Sequence, residues 1–144
     1  MAATETMRVL EFYAAVDRGD LASAMSIFAP DVVWVESPFP PNGGGVAHGP
    51  KEIAEKVLGP FTGLFAKLEL VRDRVIAQGA EVVVLGRYRG VMKGSGRTVV
   101  SRFSHAWTMK DGRATRMEQL ADTAALFLAA GDELPASVAG ASPG

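Results

Sequence analysis

Few residues in this chain have the chemistry to move a proton near neutral pH. It has two histidines, His48 and His105, far apart in sequence. His105 sits in Arg97–Asp122, which reads as a β-hairpin: two alternating segments flank Lys110-Asp111-Gly112, and Asp-Gly is a strong hairpin signal. With a side-chain period of two, Val99, Ser101, Phe103, His105, Trp107 and Met109 share a face. That face is apolar except at Ser101 and His105. An imidazole among large apolar side chains is either a buried neutral ring bonded to a backbone carbonyl or a pocket residue suited to acid–base work. On the second strand Thr115, Met117, Gln119 and Ala121 share one face, and Gln119 could orient a carbonyl. His48 lies in a Pro/Gly-rich loop and reads as solvated.

Other chemistries are excluded by composition. There is no cysteine, hence no disulfide, thiolate metal site or cysteine nucleophile. A metal site would need carboxylates to complete its ligand set, and no HxH or HxxxH spacing occurs. With 15 basic and 16 acidic residues the net charge is −1, and no basic stripe points to nucleic acid or an anionic membrane. No stretch is long enough to span a bilayer and no leader pattern opens the chain, so a cytoplasmic location is the default expectation. At 144 residues, 48% apolar and 22% charged, the chain is expected to form one domain over residues 1–133, followed by a flexible tail at 134–144.

The elements that would position these residues follow from periodicity. Thr4–Arg18 reads as a helix with Val9, Leu10, Phe12, Tyr13 and Val16 on its apolar stripe. Tyr13 is then helix core or a hydroxyl donor. Asp20 caps a second helix, Leu21–Phe28, which Ala29-Pro30-Asp31 stops. Asp31–Ser37 is a strand placing Val32, Trp34 and Glu36 on one face. Trp34 would form a pocket wall or pack in the core. Glu36 would be a surface carboxylate or a base. Residues 38–50 read as a loop able to form a mouth or lid. Pro50 opens a helix over Lys51–Leu58, and Gly59-Pro60 breaks it. Lys67–Ala77 and Glu81–Val91 are strands, the latter with Val84, Gly86 and Tyr88 on one face. Tyr88, like Tyr13, is core or donor. A last helix, Ala124–Ala130, has Asp122 at its N-cap and Gly131 at its end. Successive strands joined by short turns predict an antiparallel, curved sheet with helices on one face, an α+β fold.

In this order and spacing several stretches resemble the NTF2-like superfamily, in its SnoaL-like and ketosteroid-isomerase-like branch. They are Phe12-Tyr13-Ala14-Ala15 with Gly19-Asp20-Leu21; Phe28-Ala29-Pro30-Asp31-Val32-Val33-Trp34; Gly49-Pro50-Lys51-Glu52-Ile53; and Phe103-Ser104-His105-Ala106-Trp107-Thr108 with Asp111-Gly112-Arg113 and Asp122-Thr123. The resemblance covers about Met7 to Leu128. It implies a cone in which a curved, mostly antiparallel sheet wraps a pocket closed by N-terminal helices.

The resemblance also implies roles. Ketosteroid isomerase uses an aspartate base with a tyrosine and a protonated aspartate as oxyanion donors. The tyrosine matches Tyr13. The base falls on Ser37, which cannot abstract an α-proton unaided, so Glu36 is the candidate displaced base. The protonated aspartate falls on His105 with a one-residue gap in the turn, or on Ser104 without it. SnoaL-type polyketide cyclases, which pair an aspartate with a histidine, point to Asp122 and His105. The expected function is cofactor-independent acid–base chemistry (isomerisation, cyclisation or dehydration) on a small hydrophobic carbonyl compound. His105, Asp122, Glu36 and Tyr13 would carry it, in a pocket walled by Trp34, Tyr88, Phe103, Trp107, Met117 and Gln119. The alternatives are a binding protein for a hydrophobic ligand and a dimerisation scaffold with a vestigial pocket. Arg87, Arg89, Arg102, Arg116 and Glu118 alternate to the outer sheet face, where the resemblance implies a homodimer contact.

Overall fold

A stripe of Val9, Phe12, Tyr13 and Val16, all buried, turns the first helix, α1 (Ala2–Asp17), onto the concave side of a six-stranded sheet. The computed structural model describes residues 2–40 and 43–131. The tail expected at 134–144 lies outside the described residues.

After α1 comes α2 (Leu21–Met25), capped by Asp20, whose carboxylate accepts from the Ser23 amide. This helix is shorter than the sequence suggests. It ends at Met25, not at Ala29-Pro30-Asp31, and those three residues lie with Phe28 at the start of β1 (Phe28–Glu36). Proline is tolerated there because the pairing of β1 with its neighbour shifts between Phe28 and Val33, and Pro30 falls within that irregularity.

The segment expected to be a loop contains a strand, β2 (Gly45–His48), paired antiparallel with β1 from Val33↔His48 to Glu36↔Gly45. Only Ala47 of its four residues is buried. Main-chain pairing, not side-chain alternation, makes it a strand. His48 is an exposed edge residue.

The helix after Pro50 does not break at Gly59-Pro60. It runs from α3 (Gly49–Ile53) through a π-helical turn (Ala54–Leu58) into α4 (Gly59–Gly63). Pro60 cannot donate a backbone bond, and its ring opposes a regular preceding turn. The turn widens instead, and the Gly59 amide bonds to the Ala54 carbonyl. Four long strands follow: β3 (Phe65–Gln78), β4 (Glu81–Met92), β5 (Thr98–Lys110) and β6 (Arg113–Ala121). The last helix is α5 (Thr123–Ala130), closed by Gly131 at φ 83°.

The strand order is β2-β1-β6-β5-β4-β3, antiparallel throughout except that β1 and β6 run parallel. The sheet is curved and unclosed. Close approach of β3 to β4 depends on glycine: a Cβ on Gly86 would run into the Val71 carbonyl oxygen, and one on Gly90 into that of Lys67. On the concave side Phe12, Phe28, Trp34 and Trp107 form one aromatic cluster, with ring centroids 5.0–6.3 Å apart. Among the described residues no helix is long and apolar enough to cross a membrane.

Candidate functional site

The inward row of β5 is the one its alternation predicts: Ser101, Phe103, His105, Trp107 and Met109 are buried. His105 stands across from Val84 on β4 and from Gln119 on β6. The Tyr13 hydroxyl reaches it from α1, 2.7 Å from Nδ1, and the Tyr88 hydroxyl from β4, 2.7 Å from Nε2. The partners are thus phenols, not a backbone carbonyl. Phe103 stacks on the imidazole at 4.0 Å, 17° from parallel.

Each phenol has a second partner. Trp107 Nε1 donates to the Tyr13 oxygen over 2.9 Å, and Gln119 Nε2 donates to the Tyr88 oxygen over 2.9 Å. Gln119 is itself held by the end of β1, where the Ser37 amide donates to its Oε1 at 3.2 Å and the Ser37 hydroxyl donates to its carbonyl oxygen at 2.8 Å. Ser37, at the position where the resemblance puts a base, therefore ties β1 to β6.

Burial sets the protonation states. Desolvation depresses the His105 pKa to about 3, so the ring is neutral at pH 7. Desolvation likewise pushes both phenols above their ordinary range. The Trp107 bond and the Arg72 charge offset part of this for Tyr13; for Tyr88 the nearby Glu36 charge adds to it.

Glu36 is not on the surface. The pleat of β1 sends it inward with Trp34, and it is 8% exposed. Trp34 Nε1 donates to Glu36 Oε1 over 2.8 Å. Burial raises its pKa to about 8, and the Trp34 bond offsets only part of the rise. A carboxyl in this state is largely a neutral acid at pH 7 and an available base slightly above it.

Glu36, Tyr88, His105 and Trp34 share the lining of one inner cavity with side chains from α1, the π turn, α4 and β3. Its volume is about 20 Å³, room for about one water. Phe103, Trp107, Met117 and Gln119 are buried but are not in that lining. They support the site instead: Phe103 through the imidazole, Trp107 through Tyr13 and Gln119 through Tyr88, while Met117 packs opposite Trp107. Wall residues that sequence reasoning did not single out are Val57, Leu58, Phe61, Thr62, Leu68 and Leu70. For Val57 and Phe61 the available signal was their i, i+4 spacing, and for Leu68 and Leu70 their i, i+2 spacing. Outside the inner cavity lies a cleft of about 330 Å³ between β2 and the π turn, and Glu36 and Val57 belong to both linings.

Asp122 stands apart. Its carboxylate is exposed and caps α5 by accepting from the Ala125 amide at 3.2 Å, while its backbone carbonyl accepts from Ser101. Among the described residues no carboxylate bonds to His105, and no group of three or more His, Asp or Glu side chains could hold a metal ion.

Residues 9–117 match the model of the SnoaL-like domain. Among solved structures the chain is similar to TerC co-crystallised with polyporic acid, at 32% identity over 90% of this chain and 99% of that one, with a TM-score of 0.79. It is also similar to an NTF2-like protein of unknown function from Burkholderia pseudomallei (32% identity, 88% and 96% covered, TM-score 0.76). A third, an NTF2-like protein from Burkholderia thailandensis, shares 28% identity over 87% and 95%, with a TM-score of 0.78. No curated protein matches the chain.

Proposed function

This chain belongs to the SnoaL-like domain family, and we propose that it is a cofactor-independent enzyme that moves a proton on a small, largely apolar carbonyl compound. One observation carries the reading: the buried Glu36 carboxyl, held near pKa 8, lines the same apolar cavity as Tyr88 and His105. In its ionised form Glu36 takes the proton from the carbon next to the carbonyl. The Tyr88 hydroxyl donates to the oxygen as enolate charge develops there. Glu36, now an acid, returns the proton to another atom. Returned to another carbon, the proton completes an isomerisation; returned to the oxygen of a second carbonyl whose carbon the enolate has bonded, a cyclisation; returned to a β-hydroxyl that leaves as water, a dehydration. His105 is not the base in this scheme. Neutral and bonded on both nitrogens, it holds the two phenols in place. The cleft that shares Glu36 and Val57 with the inner cavity is the side from which a ligand would reach it, by displacing the π turn. The likeness to TerC makes polyporic acid the first ligand to try.

The test is proton exchange at the α-carbon of a panel of aryl ketones in D₂O, followed by NMR. The wild type should exceed the buffer rate, and its rate should rise with pH through about 8. Glu36→Gln should lower it by about 100-fold or more. An unchanged rate in Glu36→Gln would remove Glu36 from the mechanism.

A second reading, a binding protein or scaffold without chemistry, is favoured by the inner cavity of about 20 Å³. Thermal stabilisation by polyporic acid with no exchange on any ketone would select it. We also propose that two copies pair through the outer sheet face. Val100 and Leu120 are exposed there among Arg87, Arg102, Arg116 and Glu118. Sedimentation equilibrium of wild type against Leu120→Glu tests this pairing.

A further inference from the structure

The hydrogen bonds around His105 have a direction that follows from counting protons. The imidazole is neutral, so one ring nitrogen donates and the other accepts. Each phenol oxygen already receives an N–H, Tyr13 from Trp107 and Tyr88 from Gln119. The Gln119 amide cannot be turned round, because the Ser37 amide needs its oxygen. One tyrosine must therefore give its proton to the imidazole, while the other receives the imidazole proton. The receiving tyrosine keeps its own O–H proton unused.

The two choices are not equivalent. Tyr13 is fully buried, is absent from the cavity lining and, among the described residues, has only Trp107 and His105 as hydroxyl partners. Among the described residues a spare proton on Tyr13 would have no acceptor, leaving a buried donor unpaired. Tyr88 lines the cavity. A spare proton there belongs to a residue that borders the space a ligand would occupy.

We infer that the network has one polarity, from Trp107 to Tyr13 to His105 Nδ1 and from His105 Nε2 to Tyr88, so that the Tyr88 hydroxyl proton is offered to the cavity and the ligand seated there presents an oxygen acceptor, a carbonyl or enolate oxygen. The acceptor class rests on the proton-transfer reading above; the polarity does not. Trp107 and Gln119 then act as positioning residues. They take one acceptor site on each phenol, and the place of Tyr88 on the cavity lining, from which Tyr13 is absent, then selects the tautomer with the proton on Nε2. Tyr13, which the resemblance identifies as the donor to substrate, acts here through His105, and Tyr88 holds the donor position.

Two-bond ¹H–¹⁵N correlation spectra of the ¹⁵N-histidine-labelled full chain read the tautomer directly, with His48→Gln assigning the two rings. The expected result is a neutral His105 protonated on Nε2 across pH 5–9, with that preference lost in Tyr13→Phe, where Nδ1 has no donor. A proton on Nδ1, or an imidazolium at pH 7, would overturn the polarity. Adding polyporic acid should shift the Nε2 signal of the wild type and leave that of Tyr88→Phe in place. An unmoved wild-type signal overturns the assignment of the acceptor to Tyr88. The tautomer is read without turnover, so an absence of ketone exchange beside a correct tautomer would sink the enzyme and leave the polarity standing.

Discussion

Trp34 and Glu36 leave β1 two residues apart on the same side of the pleat, and the indole Nε1 donates to Glu36 Oε1 over 2.8 Å. That one bond does not offset the loss of water around the carboxyl, so Glu36 is more basic than an exposed glutamate. His105, also buried, is less basic than an exposed histidine. The two shifts set opposing demands on the fold as pH changes.

Glu36 rises from an ordinary 4.5 to about 8. The folded state therefore holds a proton that the unfolded state gives up, and stability falls as pH rises between those values. His105 falls from an ordinary 6.5 to about 3. Here the unfolded state binds the extra proton, and stability rises with pH over that window. Each effect is on the order of 5 kcal/mol. Urea unfolding should thus show stability rising from pH 3 to 4.5, level to 6.5 where the slopes cancel, and falling to 8. In Glu36→Gln the rise should extend to 6.5 and the fall should vanish. A fall that persists in Glu36→Gln would place its origin elsewhere.

Tyr13→Phe leaves Trp107 Nε1 and His105 Nδ1 unpaired, and Tyr88→Phe does the same to His105 Nε2 and Gln119 Nε2. Each should destabilise by about 1–3 kcal/mol. Both hydroxyls act on one ring, which can relax or change tautomer once either is gone. The double variant should therefore lose less than the sum, by at least about 0.5 kcal/mol. Strict additivity in a urea double-mutant cycle would mean that the imidazole does not couple the two phenols.

The parts of this site that the sequence made legible are those governed by local rules. The β5 row follows from period-two alternation, and the turn before β6 from Asp111 and Gly112, which take φ of 53° and 77° as a two-residue hairpin turn requires. Strand β2 escaped because four residues paired through their main chain leave no alternation to read. The π turn escaped because an i→i−5 bond has no compositional mark. Glu36 was read as a surface or a base carboxylate because a charge before Ser37-Pro38 usually meets solvent; only Trp34, two residues earlier on the same face, hinted at a buried partner. The meeting of Tyr13 with His105 spans 92 residues. Helical spacing puts Tyr13 in the core, but no local rule says which ring it will touch. Asp122 was readable as a cap from its place before Thr123, whereas its pairing with His105 came from the resemblance alone.

Gly86 links the curvature of the sheet to the imidazole. A Cβ there would press on the Val71 carbonyl and come within 2.7 Å of the Phe103 ring, and that ring stacks on His105. Gly86→Ala should lower stability by about 1–3 kcal/mol through overpacking. It should also move the His105 ring signals in NMR. Gly94→Ala, where nothing lies within 4 Å of the added carbon, should stay within about 0.5 kcal/mol of wild type. Equal effects from the two substitutions would show that the close approach of β3 to β4 does not need Gly86.

Asp122 separates the aspartate–histidine arrangement that the resemblance implies from the geometry of this chain. Its carboxylate accepts from the Ala125 amide and is exposed at the start of α5, while His105 is bonded on both nitrogens by tyrosines. Removing the cap with Asp122→Ala should cost about 1 kcal/mol, and Asp122→Ser, which keeps a capping oxygen, should recover most of it. Neither should change the rate of ketone α-proton exchange per folded molecule, because the carboxylate acts on a helix end and not on the cavity. If both variants fold and lose exchange alike, the capping oxygen is irrelevant to the loss. The carboxylate itself would then be needed for the chemistry, in a conformation in which it reaches the imidazole.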